Sequence, residues 1–110
     1  MTNSNPTTLE RNDVIAAIRK SLRERSGKAW SVTGGRGTAW GWIRISAPPA
    51  RLVEGWRMSD ADMAELAKLL GKDSVSSQGE SIPAAHDYRQ EYLDRAAGRV
   101  PSAKGAPYWD

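Results

Sequence analysis

Val14, Ile15, Ile18 and Leu22 recur at the spacing of one helical face, which predicts a first helix over residues 9–25. Thr7 and Glu10 stand three residues apart, as in a capping box, and Gly27 follows the last turn as a stop. Arg19, Lys20, Arg23 and Arg25 occupy the rest of that cylinder. Over residues 29–45 the period falls from 3.6 to about two. Trp30 and Val32 alternate with Ser31 and Thr33, and Gly34, Gly35 and Gly37 around Arg36 supply a turn. A second strand over 38–45 places Ala39, Gly41, Ile43 and Ile45 on one face and Trp40, Trp42 and Arg44 on the other. Gly41 and Ala39 are small enough for a helix to approach closely on their face. Pro48 and Pro49 end the strand.

Residues 50–58, with Leu52, Val53, Trp56 and Met58, read as an irregular edge strand or a loop packed on the core. A second helix follows. Ser59 caps it, Asp60 and Asp62 sit in its first turn, Met63, Leu66, Ala67 and Leu70 form its buried stripe, and Gly71 ends it. Residues 72–82 read as polar loop. Pro83 opens a third helix over 84–97, with Tyr88, Tyr92, Leu93 and Ala96 inward and Gly98 as its stop. The expectation is an α+β fold: a disordered lead-in over 1–8, then a single domain over 9–110. That domain holds a helix, an antiparallel hairpin in a two- or three-stranded sheet, two further helices, and a tail whose Tyr108 and Trp109 dock back.

Composition changes this picture in two places. The chain has 110 residues and only seventeen Leu, Ile and Val, with no Phe, but five Trp and three Tyr. Large aromatics bury about 150–250 Å² each, so the tryptophans are expected inside, including the Trp40–Trp42 face. The charge is also uneven. Residues 1–58 carry ten Lys and Arg against four Asp and Glu, and residues 59–110 carry six against nine. A basic half suits an acidic partner, or the two halves attract each other across the fold. There is no Cys, which excludes disulfides and thiolate metal sites. No apolar run reaches the roughly 20 residues of a membrane span, and the polar N-terminus lacks the form of a signal peptide. A cytoplasmic setting is expected.

Four features carry candidate chemistry. The glycine-rich turn Gly34-Gly35-Arg36-Gly37-Thr38 could approach a phosphate, although a hairpin turn explains its glycines equally well. The Trp40, Trp42 and Arg44 face alternates aromatic and basic groups, as a single-strand stacking platform does. His86, with Asp87, Tyr88 and Glu91, is the one histidine site; no second His or Cys completes a usual metal set, and Glu91 with Arg95 reads as an i, i+4 ion pair. Asp60, Asp62 and Glu65 suit a helix N-terminus better than a cation. No nucleophile set can be assembled, and no cofactor is implied.

The run Gly27-Lys28-Ala29-Trp30-Ser31-Val32-Thr33-Gly34-Gly35-Arg36-Gly37-Thr38-Ala39-Trp40-Gly41-Trp42 resembles a group of uncharacterised small bacterial proteins. Met58-Ser59-Asp60, residues 78–83 and Pro107-Tyr108-Trp109-Asp110 are similar to the same group. The opening over residues 10–46 resembles, more distantly, the large polyvalent protein-associated modules of phage and mobile elements. The resemblance implies a compact α-β-β-α unit in a mobile-element setting and carries no catalytic residue.

The expected function is a non-catalytic binding module. It would contact nucleic acid, or a nucleic-acid-handling complex, through Arg19, Lys20, Arg23, Lys28, Arg36 and Arg44, with Trp40 or Trp42 stacking where exposed. The alternative is a regulator or inhibitor of a host protein complex, of mobile-element or anti-defence type. An open hairpin edge would also allow pairing with a second copy.

Overall fold

A computed structural model of the chain describes residues 10–37 and 41–99, the His86 side chain excepted. Among these residues the fold is α+β: helix α1 (Arg11–Ser26), strands β1 (Ser31–Gly34) and β2 (Ile43–Ser46), helix α2 (Asp60–Leu70), strand β3 (Glu80–Ile82) and helix α3 (His86–Ala96). The lead-in, Thr7, Ala39, Trp40 and the aromatic tail lie outside the described residues.

The three strands form one antiparallel sheet in the order β1-β2-β3. Thr33 faces Arg44 and Arg44 faces Ser81; Gly34 faces Ile43 and Ile43 faces Ile82. Because side chains alternate across a sheet, this register turns Val32, Ile43, Ile45 and Ile82 to one side and Thr33, Arg44 and Ser81 to the other. The first set is buried and meets Val14, Ile15, Ile18 and Leu22 of α1, Leu66 and Leu70 of α2, and Tyr92 and Ala96 of α3. The second set is exposed. The described helices therefore cover one face of the sheet only.

Local chemistry explains the helix ends. Gly27 takes φ +78° and its N–H bonds Arg23 O; Gly71 takes φ +69° after α2. Ser59 Oγ accepts from Asp62 N–H, the expected cap. Three helix-end expectations need correction. Glu10 is the N-cap of α1 and makes no side-chain cap bond. Met63 is only half-buried, because it lies at the margin of the α2 stripe, and Tyr88 is exposed in the first turn of α3, one turn before the buried Tyr92.

The strands differ more. β2 starts at Ile43, not at residue 38, since the ladder ends where Gly35 N–H donates to Trp42 O at 2.9 Å. Residues 80–82, read as loop, form β3. Residues 50–58 hold a short 3-10 helix (Pro49–Arg51) and a tight turn closed by a Val53–Arg57 bridge. Gly41 does sit in a close approach: a Cβ there would lie 2.6 Å from Ala84 Cβ, and Arg89 Nη2 donates to Gly41 O at 3.1 Å.

Two arginines of α1 reach the backbone of β1 and of the loop that follows it. The bonded rung at Gly35 and Trp42 makes Val32 a non-bonded position, so its carbonyl points away from β2. Arg19 Nη2 donates to that carbonyl at 2.7 Å, and Arg11 Nη1 donates to Gly35 O at 2.7 Å. One outward carbonyl of the expected open edge, that of Val32, is thus already bonded.

Candidate functional site

The scarce aliphatic residues are spent inside. None of the described Leu, Ile or Val side chains is exposed, whereas two of the three described tryptophans are: Trp42 at 44% and Trp56 at 54%. Only Trp30 is buried, with its Nε1–H donating to Ser26 Oγ at 3.0 Å and the Arg51 guanidinium 4.8 Å from its ring centre. The expectation that the Trp42 face is core is therefore wrong. Aliphatic side chains from five of the six main elements, with Met58, Trp30 and Tyr92, fill the interior without it.

Trp42 and Trp56 flank the face that the described helices leave open. One depression of about 360 Å³ is lined by Thr33, Gly34, Gly35, Trp42, Arg44 and Ser81, among others. A second, of about 210 Å³, is lined by Ser31, Thr33, Arg44, Ser46, Leu52 and Trp56 with neighbouring residues. Thr33 and Arg44 belong to both, so the two form one shallow channel with an indole at each end. Among the described residues no carboxylate lines either depression.

Arg44 sits at the centre. Its Nε and Nη2 donate to Gln78 O at 2.8 and 2.6 Å. A guanidinium has five N–H donors, so three remain while the side chain is held in place. Trp56 was not singled out beforehand as a site residue. It is presented by the turn after Val53, where Glu54 and Gly55 take φ +55° and +80° and Trp56 N–H bonds Val53 O at 3.2 Å. Positive φ at both central residues is what a type I′ turn requires, and the Glu54-Gly55 pair was the available signal.

The eight residues expected to contact nucleic acid do not form one surface. Trp42 and Arg44 lie on the channel, and exposed Arg36 stands in the loop beside Gly35. Trp40 is outside the described residues. Arg19, Lys20 and Arg23 belong to α1, which packs on the opposite face of the sheet; Arg19 is engaged with Val32, and Lys20 lies 4.0 Å from Glu24. Lys28 is drawn to α2, 2.6 Å from Glu65 and 3.7 Å from Asp62. The hydrogen bond to Glu65 raises its pKa above the ordinary lysine value. The basic half is therefore partly neutralised by the acidic half, and Lys28 and the α1 cations do not extend the channel.

The remaining candidates resolve differently. In the glycine-rich turn the Gly35 N–H is spent on Trp42 O, which weakens a phosphate cradle. Asp62 is buried, with Arg51 Nε 3.1 Å from its Oδ2, so that acidic trio is structural. Glu91 and Arg95 pair at 2.8 Å as expected. The His86 side chain lies outside what is described. Among the described residues no group of three or more His, Asp or Glu is placed to hold a metal ion, and no helix is long and apolar enough to cross a membrane.

No protein-family model, curated protein or solved structure matches the chain.

Proposed function

We propose that this chain is a non-catalytic module that binds nucleic acid through the uncovered face of its sheet. One observation carries the reading: a fold in which no described Leu, Ile or Val is exposed still exposes two indoles in a channel centred on an anchored arginine. Burying either indole would gain substantial hydrophobic free energy, so exposure of both on one face supports a contact role for that face. Bases offer π-faces to indoles whatever their identity, and a phosphate fits the three free donors of Arg44. The excess of Lys and Arg in residues 1–58 adds long-range attraction for a polyanion.

The test is intrinsic tryptophan fluorescence titrated with single- and double-stranded DNA and RNA at about 50 and 200 mM salt. Saturable quenching that weakens at the higher salt is expected. No change with any nucleic acid would overturn the reading and leave the Trp42, Arg44 and Trp56 set as a protein-binding hot spot, since Trp and Arg dominate such spots.

A further inference from the structure

We infer, on the basis of the function proposed above, that the ligand is a short single strand, with one base stacked on Trp42, another on Trp56 and a phosphate between them on Arg44. Three observations point this way.

The first is spacing. Trp42 stands just before β2, four residues ahead of Ser46, and Trp56 shares its depression with Ser46. The two indoles line different depressions, with Thr33 and Arg44 common to both, so they receive two bases with the backbone between them passing Arg44.

The second is the floor. Thr33, Arg44 and Ser81 stand in one row across the three strands, and Ser31 and Ser46 form the next row. Apart from Arg44, both rows present hydroxyls, which donate to or accept from base edges without demanding one base. Such a floor reads the exposed Watson–Crick edges of a single strand, which a duplex keeps paired.

The third is charge. A duplex hides its base faces and is held through many phosphates, yet the channel carries one arginine, with Arg36 beside it. That supply suits one or two phosphates. The slope of log K against log salt should then lie between about −0.7 and −1.4 for a single strand.

The experiment is a titration by calorimetry of the full chain with oligothymidylates of graded length and with a mixed-sequence duplex, repeated with Trp42→Ala, Trp56→Ala, Trp56→Phe and the double variant Lys20→Ala with Arg23→Ala. Affinity should stop rising within a few nucleotides, and the duplex should bind at least tenfold more weakly. Each Trp→Ala change should weaken binding by about 5- to 150-fold, the equivalent of 1–3 kcal/mol per stacked base. Trp56→Phe should keep most of the affinity, and the α1 double variant nearly all of it. Equal or tighter binding of the duplex, or a loss confined to the α1 variant, would overturn the single-strand assignment while leaving nucleic-acid binding intact. Absence of binding to every probe would overturn the proposed function itself. The comparison of wild-type chain on single strand and duplex does not depend on any variant folding.

Discussion

Val32 and Thr33 are adjacent, nearly isosteric, and on opposite faces of β1, so exchanging their chemistry tests which face is covered. Val32 is fully buried beneath α1, and its own carbonyl is already taken by Arg19. Val32→Thr removes one buried methyl, worth about 0.8 kcal/mol, and places a hydroxyl where no acceptor is free, costing about 1–3 kcal/mol more. A total of about 2–4 kcal/mol corresponds to a fall in Tm of roughly 10–20 °C for a domain of this size. Thr33→Val acts on the exposed face of the edge strand β1, where both residues have good strand propensity. Its effect should stay within about 0.5 kcal/mol. Thermal unfolding followed by circular dichroism reads both variants. A stable Val32→Thr chain, or equal losses in the two, would refute the sidedness on which the site rests.

Three further outcomes follow from the structure. Glu54 is the one described residue other than glycine with positive φ, so Glu54→Asn should stabilise the chain by up to about 1 kcal/mol in urea unfolding; it should also tighten nucleic-acid binding modestly by removing a carboxylate beside Trp56. Arg25 Nη1 lies 2.8 and 2.9 Å from the carbonyls of Leu69 and Ala96, at the ends of α2 and α3. Arg25→Ala should lower the urea midpoint by the equivalent of about 1–2 kcal/mol without touching affinity, and equal stability would show those contacts to be idle. The Tyr92 phenol is pushed well above its ordinary value of 10.0, first by burial and then by its hydrogen bond to Glu80. A raised folded pKa contributes stability below the unfolded value that is lost as pH rises past it. Stability should therefore fall above pH 10, and Tyr92→Phe should remove that part of the slope.

Much of the fold was legible because helix signals are local. The α1 stripe, the Ser59 cap and the glycines after α1 and α2 act within a turn or two. The period of two also assigned Ile43 and Ile45 to one face and Trp42 and Arg44 to the other correctly. What alternation cannot state is which face the rest of the chain covers, because that depends on α1, α2 and α3 packing from tens of residues away. Scarcity of aliphatics suggested that the tryptophans must be inside; the structure instead concentrates nearly all the aliphatics in one small interior. β3 escaped notice because three residues, two of them polar, carry no measurable period. Lys28 looked like a free cation for the same reason that Trp56 looked like core: the acidic α2 and the turn at Glu54 act on them only in three dimensions.

The most direct measurement is the set of tryptophan indole N–H resonances in a two-dimensional nitrogen–proton spectrum, recorded as a short oligothymidylate is added. Trp42 and Trp56 should shift together and saturably, while Trp30, locked to Ser26, stays in place. Stationary Trp42 and Trp56 signals, with shifts confined to the backbone amides around Arg19, Lys20 and Arg23, would contradict the assignment of the uncovered sheet face as the binding surface.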